Sequence, residues 1–224
     1  MVNIDTVYQK VLAFANKEQR GYITPQEFNL FADQAQKEIF EQYFYDLDKL
    51  TKMAGNTDEY GDIIDNLREK ILIFETTSAI NFGVIANSDV YRLGAVFNAD
   101  GVPKILEEVT YQELVEMRQS PLTRPTLTRP VYARRGNDLV DQPVGTAFSC
   151  TYTRQPSKPN WSYVVVNNKA MHDPFQKIDF ELHPSEENEL TYKILKFAGL
   201  SMKRNDIAQG GQGLETMQVQ QEKQ

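Results

Sequence analysis

Aromatic and aliphatic residues recur at helical spacing over residues 28–47, and this run constrains the fold of the 224-residue chain more than any other feature. Its members are three or four positions apart, which predicts one long helix with a wide aromatic face. Thr24 and Glu27 have the spacing of a capping box, and Pro25 suits the first helical position. The sequence therefore predicts a helix that begins at this motif and ends near Leu50.

The aromatic face of this long helix has to be buried, because so much apolar surface is unfavourable in water. A first helix over about residues 4–15 and a third helix near residues 60–74 carry apolar faces that could cover it. Another subunit could cover it as well. We therefore assign residues 1–78 to a helical portion and leave open what packs on the long helix.

The hydrophobic period changes from helical to alternating between residues 79 and 182. Residues 148–152 alternate between buried-type and hydroxyl-bearing side chains, which is typical of a half-buried strand. The Asp100-Gly101 turn predicts a hairpin between two short strands, and a brief helix is predicted over residues 111–119. We expect residues 79–182 to form an antiparallel, β-rich portion.

A final helix is predicted over residues 183–204, where a proline and two acidic residues after His183 favour a helix N-terminus. We expect this helix to pack on the helical portion. Residues 205–224 are rich in Gly and Gln, which favours a flexible tail. The chain is thus predicted to be an α+β protein with an N-terminal helical bundle, a central antiparallel β-rich portion, a C-terminal helix and this tail.

Composition limits the chemistry that the chain can perform. It carries 24 Lys and Arg against 31 Asp and Glu, a formal charge of −7, which argues against a dedicated DNA-coating protein. A single cysteine, Cys150, excludes an intrachain disulfide and a cysteine-rich zinc site. No apolar stretch approaches the ~20 residues of a membrane span, and residues 1–5 lack the start of a secretory leader. We expect a soluble protein made in a cytoplasm, without a membrane partner or a cofactor.

Two patterns resemble chemical sites but are incomplete. Residues 16–27 contain the glycine and the last glutamate of a calcium-binding loop, but Arg20 stands where an oxygen ligand is required. A capped turn between two helices is the favoured interpretation. A hydrolase would need Cys150 or a serine beside His172 or His183, and Cys150 is interpreted as a core residue of a strand. We therefore predict that the protein is not an enzyme and keep the hydrolase as an alternative.

One segment is basic in spite of the negative total charge. Between residues 118 and 158 seven cations face two acids, which leaves a local charge of +5. Arginines with tyrosines interleaved suit phosphate binding or docking on a protein partner, and we favour docking or simple solvation. The candidate docking residues are Arg118, Arg124, Arg129, Arg134 and Arg135.

The order of these segments resembles that of head-to-tail connector proteins, also called adaptor or ring proteins, of short-tailed bacteriophages. Residues 3–28 are also similar to virion structural proteins of crAss-like and related marine phages. The resemblance covers residues 2–202. It is carried by four stretches: Asp89-Val-Tyr-Arg-Leu93, Arg129-Pro-Val-Tyr132, Thr151-Tyr-Thr-Arg-Gln-Pro156 and Phe180-Glu-Leu-His-Pro-Ser-Glu-Glu187.

This resemblance implies a structural protein of the virion neck, assembled in the host cytoplasm, that joins the portal protein to the tail and to other ring proteins. It implies a homo-oligomeric ring, a dodecamer, that forms part of the channel and passes genomic DNA without sequence-specific binding. The tail would become ordered against the portal or a neighbouring subunit, and Leu214, Met217 and Val219 are its candidate docking residues. A nucleic-acid-binding virion component is the alternative function.

Overall fold

The computed structural model describes residues 1–16, 23–53, 59–81, 84–85, 89–98, 104–135, 138–142, 148–167, 169–201, 212–218 and 220. Within these ranges the chain combines helices with mainly antiparallel sheets, so the predicted α+β class is confirmed. The chain divides into two compact units. Unit 1 comprises residues 1–73 and 156–224, and unit 2 comprises residues 74–155.

Helices and strands follow one another in mixed order along the chain. The helices are α1 (Ile4–Asn16), α2 (Pro25–Met53), α3 (Glu59–Leu72), α4 (Tyr111–Gln119) and α5 (Glu187–Ser201), the last preceded by a 3-10 turn (Pro184–Glu186). The strands are β1 (Glu75–Asn81), β2 (Val84–Ile85), β3 (Val90–Asn98), β4 (Glu107–Val109), β5 (Val131–Arg135), β6 (Asp138–Gln142), β7 (Phe148–Arg154), β8 (Tyr163–Val166) and β9 (Lys169–His172). In the part of the chain described here, no helix is both long enough and apolar enough to cross a bilayer.

The aromatic face of α2 is buried inside unit 1. Helix α5 packs against both α1 and α2, and α3 packs against α2. Phe28 is fully buried and meets Tyr8 of α1 edge-on, with ring centroids 4.8 Å apart, while Phe40 and Tyr43 are buried further along the helix. The sequence left open whether another helix or another subunit covers this face, and the fold covers it within the chain.

A capping box sets the start of α2, as the sequence predicts. The backbone N–H of Thr24 donates to the Glu27 carboxylate at 3.0 Å, and the N–H of Glu27 donates to the Thr24 hydroxyl at 3.3 Å. Hydrogen bonds from the Thr24 hydroxyl and backbone hold the pKa of Glu27 below its ordinary value. The capped turn is therefore confirmed at residues 24–27, and residues 17–22 of the calcium-like pattern lie outside the described residues.

Unit 2 is built on a seven-stranded sheet in the order β3-β7-β1-β2-β6-β5-β4. Neighbouring strands are antiparallel except β4 and β5, which are parallel. The N–H of Leu106, just before β4, donates to the carbonyl of Val96 in β3 at 2.8 Å, so the two ends of the sheet are linked. The buried cluster of this closed sheet comprises Ile80, Val96, Leu106, Tyr132, Leu139, Phe148, Cys150 and Tyr152.

The predicted Asp-Gly hairpin forms only in part. Asn98 donates its N–H to the carbonyl of Lys104 at 2.9 Å, and the turn residues between them lie outside the described residues. After Leu106 the chain leaves β3 and pairs in parallel with β5. Helix α4 follows directly, because Thr110 and Glu113 form a second capping box that starts it.

Strand β1 begins inside the portion that the sequence assigns to helices, and its first four residues, 75–78, lie before the predicted end of that portion at residue 78. Thr76, Ser78 and Ile80 are the more buried residues of β1, and they alternate with exposed ones. Only one of these three side chains is hydrophobic, so no hydrophobic alternation is visible in the sequence. Pairing with β7 on one side and β2 on the other places this polar strand in the middle of the sheet.

Two further segments differ from the sequence-based division. Residues 156–182, assigned to the β-rich portion, belong to unit 1, where the Trp161 indole N–H donates to Asp5 of α1 at 2.9 Å. Residues 212–218, assigned to the flexible tail, are helical, and we call them the C-terminal segment. Long-range contacts of this kind decide membership of a compact unit, and local composition does not reveal them.

Candidate interaction surfaces

The five candidate arginines are all exposed in unit 2. Arg118 lies in the last turn of α4, and Arg124 and Arg129 lie in the loop that follows it. Arg134 and Arg135 form the end of β5. All five arginines are therefore accessible to a partner. Their positions relative to one another depend on the path of α4, which connects β4 and β5.

Four of the five arginines lie in two groups, at opposite ends of β4 and β5. Because β4 and β5 are parallel and α4 connects them, α4 runs back antiparallel to both strands. Arg118 at its end is thus carried toward the starts of the strands, where Arg129 pairs with Glu107 at 3.2 Å. Arg135 lies at the opposite end, with its guanidinium 5.4 Å from the centre of the Tyr111 ring.

Acidic neighbours reduce the positive charge of this surface. The ion pair between Arg129 and Glu107 is exposed on both sides, so it contributes little to stability but offsets the charge of Arg129. The Tyr132 hydroxyl donates to the Glu108 carboxylate at 3.1 Å. Burial and this hydrogen bond raise the pKa of Tyr132 to about 12. The phenol is therefore neutral at ordinary pH and acts as a hydrogen-bond donor.

The loop of residues 120–130, here called the proline-rich loop, presents apolar side chains to solvent. Leu122 is 96 % exposed, and Leu127 is exposed as well. A tight turn shapes the end of the loop, since Thr126 and Arg129 exchange backbone hydrogen bonds of 3.3 and 3.0 Å. Isolated exposed leucines are common, but here two occur beside Arg124 in one short loop.

A second apolar surface lies on the β8–β9 hairpin of unit 1. In its register Val164 faces Met171 and Val166 faces Lys169, so Val164, Val166 and Met171 share one face. All three are exposed, and Val165 on the other face is 62 % exposed. The sequence predicts a β-rich portion that includes these residues, but the apolar surface of the hairpin was not predicted. The signal was present, because three consecutive valines do not alternate with polar residues as a half-buried strand requires.

An aromatic stack anchors the base of the β8–β9 hairpin. The Trp161 ring lies 4.1 Å from Tyr8 and 5.4 Å from His172, centroid to centroid. Beyond β9, Phe175 is 94 % exposed in a turn closed by a hydrogen bond from its N–H to Asp173 at 3.0 Å. The hairpin is therefore fixed at its base and carries its apolar side chains outward.

The C-terminal segment is attached to α5 by ion pairs. Glu215 lies 2.7 Å from the Lys193 ammonium and 3.2 Å from that of Lys196. Of the candidate tail residues, Leu214 is 40 % and Met217 is 65 % exposed, and Val219 lies outside the described residues. The ion pairs of Glu215 were not predicted, because Lys193 and Glu215 are 22 residues apart and such a pair leaves no local pattern in the sequence.

The residues of the hydrolase alternative have structural roles. Cys150 is buried in the interior of the closed sheet, as predicted, and burial raises the pKa of its thiol. His172 stacks on Trp161, and the His183 ring accepts the N–H of Ser185 at 3.3 Å at the entry to the last helix. Among the described residues, His, Cys, Asp and Glu form no group that could hold a metal ion.

Comparison of this chain with protein-family models, and with curated proteins, finds no match. The surfaces themselves are therefore the basis for assigning a function. These are the two groups of arginines, the proline-rich loop, the β8–β9 hairpin and the C-terminal segment.

Proposed function

We propose that this protein is a structural protein of a phage virion, a head-to-tail connector or ring subunit that works by assembly and not by catalysis. Identical copies form a ring, expected to be a dodecamer, in the neck of the particle. The ring joins the portal protein to the tail proteins and encloses part of the DNA channel. The proposal combines the sequence resemblance of residues 2–202 with the exposed apolar surfaces described above.

The observation that carries the proposal is the pair of exposed apolar surfaces, one in each unit. Monomeric proteins rarely expose contiguous apolar patches larger than about a few hundred Å², and larger exposed patches mark interaction sites. A closed ring requires two different, complementary surfaces on each copy, because each subunit contacts its two neighbours through opposite sides. The β8–β9 hairpin of unit 1 and the proline-rich loop of unit 2 supply two such surfaces.

The long helix contributes less to this proposal than the sequence suggests. Its aromatic face would be available for subunit packing only if it were exposed, and Phe28, Phe40 and Tyr43 are buried within unit 1. Assembly is therefore assigned to the hairpin and the loop. The total charge of −7 suits a channel component, because an acidic wall releases no counterions from DNA and lets it pass.

Electron microscopy of the purified protein, alone and mixed with its portal protein, tests the proposal directly. We expect ring-shaped particles with rotational symmetry. The double substitution V164T/V166T keeps the branched shape suited to a strand but adds hydroxyls to the apolar face, and it should reduce ring formation. The control is Lys169→Thr, on the same face and opposite Val166. A wild-type protein that stays monomeric with and without the portal would contradict the proposal.

Nucleic-acid binding is the second candidate function, since all five arginines are exposed. A protein that neutralises several phosphates binds DNA less tightly as salt rises, with a slope proportional to the number of contacts. The double substitution R134E/R135E should then abolish binding, and R118E should weaken it less, because Arg118 lies in the other group. DNA binding that is unchanged by R134E/R135E would remove this candidate.

A further inference from the structure

Lys193 and Lys196 of α5 form a site for a carboxylate. The Lys193 side chain is 2 % exposed, and its ammonium has carboxylate oxygens of Glu38, Glu189 and Glu215 within 3.6 Å. Lys196 is more exposed and is also paired with Glu215. Glu38 and Glu189 belong to α2 and α5, and only Glu215 comes from the C-terminal segment. The segment thus supplies one carboxylate to a site that the helical bundle otherwise builds.

The C-terminal segment is held there more by charge than by apolar burial. Glu215 makes both ion pairs, while Leu214 and Met217 leave much of their surface in water. Burial alone would raise the pKa of Glu215, but hydrogen bonds from Lys193 and Lys196 outweigh it and hold the pKa below its ordinary value. The carboxylate therefore stays charged at neutral pH. A contact of this kind can be released without exposing a large apolar core.

We propose that the lysine site on α5 is an exchangeable docking site, filled by the chain's own C-terminal segment in the free protein and by that of a second copy in the assembly. The inference rests on the proposed ring function and names a contact that would join its subunits. A second copy is the occupant because the site already fits Glu215 of this sequence. Exchange of an identical element between copies costs little, since the same contacts are made in either arrangement.

The connection to the C-terminal segment is long enough for this exchange. Ten residues, 202–211, separate it from α5. Ten residues span at most about 35 Å, so the segment can reach the lysine site of a second copy that lies within that distance. Within a ring the segment of the neighbouring copy is present at a high effective concentration, so it competes with the segment of the same chain.

Two charge-reversed variants separate exchange between copies from attachment within one chain. Glu215→Lys leaves the lysine site intact but gives the segment the wrong charge. Lys196→Glu leaves the segment intact but makes the site negative overall, because Lys193 then faces the new carboxylate as well as Glu38 and Glu189. In an equimolar mixture each segment again meets an oppositely charged site, but only on the other variant. The double variant E215K/K196E restores attachment within one chain and is the control.

Native mass spectrometry of the variants, singly and mixed, measures the outcome. We expect the mixture to associate at about tenfold lower concentration than either variant alone, the ratio that one restored charged hydrogen bond produces. Equal association of the mixture and the separate variants would overturn the exchange. If E215K forms the same rings as the wild type at the same concentration, the exchange is overturned but the proposed function stands. If the mixture of variants associates but the wild type forms no ring, the proposed function is contradicted and the exchange is not.

Discussion

The two units differ in whether charged side chains are buried in their cores. In unit 1, ionisable groups are buried as pairs: Lys193 lies among three carboxylates, and the fully buried Glu186 pairs with Lys70. In unit 2, the buried cluster consists of aliphatic residues, Phe148, Cys150 and two tyrosines. In unit 1, α2 and α5 bring long charged side chains together where they pack, whereas uncharged side chains fill the interior of the sheet in unit 2.

Replacement of Lys193 by Met should destabilise unit 1 by about 3–5 kcal/mol, because it removes the cation that lies beside the buried Glu189 carboxylate. Lys196→Met is the matched control and should cost at most about 1 kcal/mol, since Lys196 is more exposed. Urea unfolding followed by fluorescence reports on unit 1 specifically, because Trp161 is the single tryptophan. Equal losses of stability in Lys193→Met and Lys196→Met would show that the burial of Lys193 does not matter.

The substitution Gly94→Ala should destabilise unit 2 by about 2–3 kcal/mol through overpacking. A Cβ at this position would lie 2.6 Å from the Thr151 hydroxyl and 2.9 Å from the Thr151 carbonyl oxygen of the neighbouring strand. The reactivity of Cys150 towards a thiol reagent measures the opening of unit 2, because this cysteine is buried inside it.

The same substitution in unit 1 is the control for Gly94→Ala. A Cβ at Gly61 of α3 meets no atom within 4 Å, so Gly61→Ala should stabilise the helix by about 0.5–1 kcal/mol. Opposite signs for the two substitutions are the expected result. If Gly94→Ala leaves the stability of unit 2 unchanged, β3 and β7 can move apart at this position without losing free energy of folding.

Ionisation of Tyr132 should destabilise unit 2 at high pH by about 2 kcal/mol. Its pKa is about 12 in the fold and about 10 when unfolded, so the contribution is full below pH 10 and is lost as pH rises towards 12. Unfolding by urea at a series of pH values, compared with Tyr132→Phe, measures the effect. If both proteins lose stability in parallel over this interval, Tyr132 is not responsible.

Protonation of Glu215 should have the smallest effect, about 1 kcal/mol. Its pKa in the fold lies below the ordinary value of 4.5, so its contribution is present above that value and is lost as pH falls through the lowered pKa. Glu215→Gln should be less stable than the wild type at neutral pH and equally stable in acid. Hydrogen exchange of residues 212–218 measures how firmly the segment is attached. A difference that persists in acid would assign the effect to something other than charge.

Local patterns predicted the helices α1 to α5 and the strand around Cys150, because their signals lie within a few residues. The capping box of Thr24 and Glu27 and the alternation around Cys150 are examples. Strand β1 was missed because it is polar, and the surface of the β8–β9 hairpin was missed although three valines indicated it. For the candidate sites, the sequence predicted which arginines are exposed but not that the parallel crossover through α4 separates them.

The sequence by itself determined the α+β class, the position of the long helix and the choice of Cys150 as a core residue. Hydrophobic period and capping chemistry encode these features over short distances. Only the tertiary structure decided that the aromatic face of α2 is buried within the chain, that residues 156–182 join the helices, and that Glu215 reaches Lys193. Each of these depends on contacts between residues far apart in the chain, and the free energy of such contacts is set by the three-dimensional arrangement of the whole unit.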